Sequence, residues 1–404
     1  MAATLISVVL AFLLVWNPPS LAALAAFDHS PLLFTVGSVF LLILASYWVF
    51  ATFALQRAEK RLIPRVIDLF RSDWLIRFAM LGLAIFVMLS FVAGIPNILA
   101  SLVHPSTLMV VWILLLGLAI DAVHVIYNRV MKYVDPISSL DLLEQRALHA
   151  AKGGDEVTTA EWLDSLATLA NKSLHSGDST LAERAVSRMY SVLQELTDGR
   201  LRNHITHERL SFPFVFYAQR LEVAFARAAH DQSESLCLHI LNQLGKATVL
   251  GATVGTEIAT LPLVYVMKLY RRSKDYDLED IPDQCSVLLV EVARSIVEAV
   301  KVSGGNFRDP VLSIIGYLEE IELDKFSDDP DVDFDILKQP FRDLFAVMKD
   351  ETILKHPDTV PVLEELEHVV GNFANLQLAL AKRLAQEAEA FTEEEEVSEE
   401  GEAP

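Results

Sequence analysis

Apolar and polar residues are unevenly distributed along this chain of 404 residues: long uncharged apolar runs fill the first 132 positions, and apolar residues at helical spacing among charged ones fill the rest. Residues 31–55 contain no formal charge, and twenty-five residues at 1.5 Å each exceed a hydrocarbon core of about 30 Å. Residues 75–95 carry only Arg77, and residues 107–127 carry only Asp121 as a formal charge, so both are long enough to span. Trp48, Trp74 and Tyr127 fall at the segment edges, where an amphipathic ring favours the headgroup region. A first apolar stretch over residues 2–16 is followed by Asn17, Pro18 and Pro19 and then by more apolar residues to Phe27. It reads as a retained, proline-kinked helix over 2–27 in preference to a signal peptide cut near Ala23-Leu24-Ala25, because no Lys or Arg opens it. The pattern thus predicts a bundle of about four transmembrane helices over 2–27, 31–55, 75–95 and 107–127.

The basic residues orient this bundle. Arg57, Lys60, Arg61, Arg65 and Arg71 lie between the second and third spans, and Arg129 and Lys132 follow the last, while residues 27–30 and 96–106 hold no Lys or Arg. The positive-inside rule then places the 57–73 loop, both termini and everything after residue 128 in the cytoplasm, as an integral protein of a cytoplasmic or plasma membrane. Within the loop, Leu62, Val66, Leu69 and Phe70 share one helical face and Arg61, Arg65 and Asp68 another, the pattern either of a short helix in the headgroup plane or of an ordinary charged connector.

Residues 133–392 read as helical throughout. Thr158 and Glu161 form a T-x-x-E capping box ahead of Trp162, Leu166, Leu169 and Ala170, and Thr180 with Glu183 repeats the device after the Ser176-Gly177 turn. Further helices are predicted over 138–152, 212–230, 233–249, 256–272, 283–302, 310–323, 334–349 and 359–391, and no alternating run joined by a Gly-rich hairpin predicts a strand. Residues 175–189 can be laid on 230–244 at a displacement of 55, which suggests antiparallel helix pairs stacked like a solenoid, or else an irregular bundle. The fold class is therefore all-α: a membrane anchor over 1–132, a cytoplasmic helical domain over 133–392, and an acidic tail over 393–404 too polar to fold. The run 248–267 holds only Glu257 as a charge, but four Thr, two Gly and Pro262 favour a buried core helix over a fifth span.

Charge sharpens this division. The chain carries −21 overall; eight basic residues against five acids give the first 132 residues +3, and seven Glu give the tail −7, leaving −17 for the domain between. Such a surface repels nucleic acid and anionic lipid and suits a basic partner protein. Cys237 and Cys285 have no partner at a metal-binding spacing and read as buried structural thiols.

Candidate chemistry is sparse. His204, His207 and Glu208 form H-x-x-H-E without an identifiable third ligand, so no metal is expected. Gly245-Lys246 lacks the upstream Gly and the following Ser or Thr of a phosphate loop, and Gly251 with Gly255 matches a membrane helix-packing spacing outside any span. Neither is read as functional, and no cofactor is expected. Asp121 and His124, three residues apart in the last span, form a candidate polar pair for a proton or ion path. Lys268, Arg271, Arg272 and Lys274 could meet a phosphate group or the inner leaflet, or could neutralise Asp275, Asp277, Glu279 and Asp280 nearby. Glu161 and Asp164 stand one turn apart, as solvated surface acids usually do. Without an assembled catalytic constellation, the sequence predicts a membrane-anchored interaction, scaffold or regulatory protein and not an enzyme. The alternative is an oligomeric channel or transporter component, in which several copies assemble a pore.

Overall fold

A computed structural model describes residues 2–16, 29–61, 65–95, 105–153, 155–202, 211–276, 278, 280–303 and 305–400. Those residues form fifteen helices and no strand. Their contacts divide the chain into two compact units, Met1–Leu143 and Glu144–Pro404, with the division falling inside the helix that follows the last apolar one and not at residue 132.

The first unit contains α1 (Ala2–Trp16), α2 (Ser30–Arg61), α3 (Val66–Ser72), α4 (Trp74–Gly94) and α5 (Pro105–Val134). Among the described residues three helices are long and apolar enough to cross a membrane, within α2, α4 and α5. The fourth expected span is not among them: α1 has 15 residues, short of the roughly 20 a span needs, and residues 17–28 lie outside the described set. Apolar side chains such as Leu42, Phe53, Phe78 and Met88 point outward, and no more than 28% of any of the three spanning windows is buried. Inside the unit, small residues let helices approach. Gly37 on α2 faces Ser90 on α4, where an added Cβ would lie 3.1 Å from the Ser90 Cβ, and Gly94 faces Phe34, so the two helices run antiparallel. Trp112 Nε1 of α5 donates to Ser90 Oγ at 2.9 Å, which satisfies the indole within the apolar contact. The 57–73 loop supplies α3, whose Val66, Leu69 and Phe70 are buried while Asp68 and Arg71 are exposed, the two-faced pattern the sequence predicts.

After α6 (Pro136–Lys152), the second unit holds α7 (Glu156–His175), α8 (Ser179–Arg202), α9 (Ser211–His230), α10 (Glu234–Val254), α11 (Thr256–Lys274), α12 (Asp280–Ser303), α13 (Arg308–Asp328), α14 (Phe334–Met348) and α15 (Thr359–Glu400). From α7 onward each helix packs chiefly on the next in sequence and the next but one, so α7, α9, α11, α13 and α15 form one row and α8, α10, α12 and α14 a second. This is the packing order of stacked helix pairs, in which each pair covers the apolar face of its neighbour. Glu156 to Ser211 is 55 residues and Ser211 to Thr256 is 45, so the repeat length is uneven. The 55-residue self-similarity is real at the turns. Asp178 N–H donates to Ser173 O and Gly177 N–H to Leu174 O; Ser233 N–H donates to Ala228 O and Gln232 N–H to Ala229 O. Both ends are Schellman motifs, with a left-handed residue at φ 82° (Gly177) and φ 54° (Gln232).

Three expectations are corrected. The helix starts are capped by Asp155, which accepts from Thr158 N–H at 3.1 Å, and by Asp178, which accepts from Leu181 N–H at 2.9 Å, not by Thr158 and Thr180. Each Asp sits three residues upstream of the amide it caps, and aspartate is among the strongest N-caps. The run 248–267 is not one core helix, because Gly255, extended at φ 171° and ψ 150°, ends α10 and begins α11. The helical backbone continues through the acidic run to Glu400, consistent with the helix propensity of Glu and the low cost of extending an existing helix.

Candidate functional site

The polar pair expected in the last span is split. Asp121 on α5 turns to the start of α1, accepting from Thr4 N–H at 3.0 Å, from Ala3 N–H at 3.4 Å and from the Thr4 hydroxyl. A carboxylate at this place satisfies helix amides that have no partner within the helix and lies at the positive end of the helix dipole. One turn earlier, Gly117 meets Ser7, so α1 runs antiparallel to α5 in close contact. His124 pairs instead with Asn128, Nε2 to Nδ2 at 2.9 Å. The residues H-x-x-H-E at 204–208 lie outside the described set.

The basic cluster on α11 is spent on its neighbours, though not on the acids nearest in sequence. Arg271 donates to both carboxylate oxygens of Glu320 on α13, at 2.7 and 2.9 Å. Lys274 lies 3.2 Å from Asp324 and from Asp328 on the same helix. On the other side, Glu222 of α9 takes Arg272 at 3.7 Å and Lys268 at 4.0 Å, and the Lys268 ammonium also sits 4.3 Å from the Tyr265 ring centre. Hydrogen bonding to Glu320 holds the Arg271 guanidinium above its usual range. Lys274 is likewise held up, by Asp328 and Asp324 against the cost of partial burial. Burial followed by the hydrogen bond to Asp324, 3.0 Å, pushes the Tyr270 hydroxyl up as well.

Similar links join other neighbours in a row at a separation of 52 residues. Arg227 of α9 donates to His175 of α7 at 2.8 Å, Ser235 of α10 donates to Glu183 of α8 at 3.2 Å, and Ser187 Oγ lies 2.9 Å from His239 Nε2. Asp164, one of the pair of acids on α7, meets Arg220 of α9 at 2.8 Å. Exposed pairs of this kind contribute about 0.2–1 kcal/mol each, so their chief effect is to fix which helix sits against which.

One cluster escaped the sequence reading. Glu322 of α13 is fully buried and accepts from Ser286 Oγ of α12 at 2.7 Å and from Lys325 Nζ at 3.0 Å, while Lys325 also reaches Asp283 at 2.8 Å. Burial raises the Glu322 carboxyl above its usual range, opposed by Lys325 and Ser286. The signal lay in the helical period, since residue 322 continues the stripe of Ile314, Ile315 and Leu318 that enters the core. Cys237 and Cys285 are both buried, which pushes each thiol up to about 12.

No family model and no curated protein matches the chain. Among solved structures it is similar, at 16% identity and a TM-score of 0.26, to a "Circular tandem repeat protein with novel repeat topology and enhanced subunit contact surfaces", over 94% of this chain and 100% of that one. A likeness at that score carries no argument, and the helical-repeat description rests on the packing order of α7 to α15.

The charged groups therefore serve two ends. The α11 cations and Arg220 are engaged with acids of neighbouring helices, and the domain as a whole keeps an excess of acids. Among the described residues no group of three or more His, Cys, Asp or Glu could hold a metal ion.

Proposed function

We propose that this chain is a membrane-anchored scaffold that holds an acidic stack of helix pairs at the cytoplasmic face for another protein to bind. The observation that carries the reading is the packing order of α7 to α15, each helix on the next and the next but one. Stacked pairs build extended rows of side chains, the usual means by which helical repeats engage a partner. Anchoring is supported by the three apolar helices, and the side of the membrane by the cations between residues 57 and 71. The net charge of the domain favours a basic partner, and the reading assigns no catalytic step to it. A channel role for Asp121 loses its support once that carboxylate is engaged with the amides of α1.

Crosslinking in intact membranes followed by affinity capture of the full chain is expected to recover a specific basic partner. Binding of that partner should weaken between low and high salt, because exposed charges are screened beyond about 10 Å at 0.1 M. Failure to recover one, together with a catalytic turnover measured for the purified chain, would overturn the proposal.

A further inference from the structure

Between the end of α2 and the short helix α3 lies a cleft of about 260 Å³, lined by Trp48, Thr52 and Gln56 on one side and Ile67, Phe70 and Arg71 on the other. The α2 residues recur every four positions, so they form one face that runs from the uncharged stretch toward its charged end. Ile67 and Arg71 likewise share a face of α3. The cleft is thus graded along its length. Trp48, Ile67 and Phe70 supply apolar walls, Thr52 spends its hydroxyl on Trp48 O at 2.8 Å, and Gln56 and Arg71 are the remaining polar lining groups.

The surroundings are cationic. Arg57, Lys60 and Arg71 are exposed, and among the described residues none of the three pairs with a carboxylate. Residues 57–77 hold six basic residues (57, 60, 61, 65, 71, 77) against three acids (59, 68, 73), and Asp73 is buried and engaged with Leu75 N–H at 3.0 Å, Tyr133 Oη at 2.8 Å and Arg129 at 3.7 Å, so the stretch stays net positive. Arg77 donates from Nε to Arg71 O at 2.7 Å, which brings a second guanidinium against the last turn of α3. A planar guanidinium with free donors suits a phosphate, which it can grip through two parallel hydrogen bonds. At roughly 30 Å³ for each water-sized group, the cleft takes on the order of nine, enough for a phosphate and the first carbons of a chain but not a whole lipid.

We propose that this cleft holds one anionic phospholipid, its phosphate on Arg71 and Gln56 and its first methylenes between Trp48, Ile67 and Phe70. The proposal rests on the membrane reading of α2, α4 and α5, and it gives the anchor a lipid preference that spanning alone does not. The lipid also bridges α2 to α3, and so couples the anchor's surface helix to the charge of the leaflet around it.

Native mass spectrometry of the full chain in detergent tests it, with phosphatidylglycerol and phosphatidylcholine added at equal concentration. Both lipids present the same phosphate, so the wild-type chain is expected to retain the anionic one several-fold more because the cationic choline of the other is repelled by Arg57, Lys60, Arg71 and Arg77 around the cleft. Arg71→Gln should lower retention of both lipids and reduce the preference, since it removes the phosphate grip and one of the surrounding cations; Ile67→Trp should lower retention of both without altering the preference, and Lys246→Gln, an exposed charge on α10, should change nothing. Should Arg71→Gln fail to fold, Gln56→Glu places a carboxylate in the same cleft and should likewise reduce the preference. An unchanged preference in either folded variant, equal retention of the two lipids by the wild-type chain, or displacement by excess inorganic phosphate would overturn the site. Release of the wild-type chain from membranes by alkaline carbonate would instead remove the membrane reading on which the proposal rests.

Discussion

At Glu322 a carboxylate with no exposed surface is held between a hydroxyl and an ammonium, and its titration sets a pH dependence of known sign. Its folded pKa is raised by burial above the ordinary value of 4.5, so the folded chain binds that proton more tightly than the unfolded chain. The stability it contributes is fully present below pH 4.5 and is lost as pH rises through the folded pKa. Asp155 and Asp231 act in the opposite sense, because hydrogen bonds lower their carboxyls, but both remain in a Glu322→Gln variant and cancel in the comparison. The difference in melting temperature between wild type and Glu322→Gln, followed from pH 4 to 8 and in detergent, should therefore shift in favour of the variant as pH rises. A difference that does not vary with pH would contradict the assignment. The cluster was easily passed over in the sequence for a physical reason: Glu and Lys three residues apart on a helix are ordinary surface spacing, and only the continuation of the apolar α13 stripe to residue 322 shows that Glu322 is inside while Lys325 reaches in from the half-buried edge. The caps were half legible. The sequence places helix starts near 158 and 180, but Asp and Thr both serve as N-caps, and the register between them depends on where the preceding turn releases the chain.

Elements were read more securely than residues. Helices from α6 to α15 appear close to the predicted ranges because apolar positions recur at helical spacing and Gly, Pro and Asp punctuate them. The predicted ranges 233–249 and 256–272 leave a break before residue 256, whereas the weak charge of 248–267, with Glu257 alone, suggests one continuous core helix; Gly255 decides for the break. Gly251, set aside in the sequence for lying outside a span, has a structural role at this corner. A Cβ there would lie 3.0 Å from the Cα and the N of Ala259 and 3.1 Å from the backbone carbon of Ile258. Backbone cannot rotate away as a side chain tip can, so Gly251→Ala is expected to force α10 and α11 apart and destabilise the chain by roughly 1–3 kcal/mol. Gly245→Ala is the control, because its close neighbours at 2.9 and 3.1 Å are the side-chain tips of Leu288 and Val292 on α12. Thermal melting of the two variants should rank Gly251→Ala as the more damaging, and a reversed order would show that the corner yields more readily than the α10–α12 contact. The basic cluster of α11 teaches the same lesson at a distance: its true partners, Glu222 and Glu320, lie about 50 residues away, and only the stacking order makes them neighbours.

For the whole molecule, the topology we propose rests on the charges of the 57–73 loop, and the arrangement of α1 fits within it. On the membrane reading, α2, α4 and α5 cross, with the cation-rich loop on the inner side and residues 96–106 on the outer. Helix α1 runs antiparallel to α5, and the contacts of Ala3 and Thr4 with Asp121 set its first turn level with the inner part of α5. Its 15 residues, about 22 Å at 1.5 Å per residue, then reach most of the way toward the other side without being long enough to count as a span alone. Single cysteines introduced at Ser101 and Ser176, with Cys237 and Cys285 replaced, distinguish the two orientations, since Ser176 sits in the exposed turn after α7. An impermeant thiol reagent applied to intact cells is expected to label the Ser101 variant at once and the Ser176 variant only after lysis. Labelling of Ser176 in unlysed cells would put the helix-pair stack outside. The partner would then have to be sought on the other side of the membrane, and the cleft beside Arg71 would face the outer leaflet, whose lipids, not those of the inner one, would have to supply the phosphate.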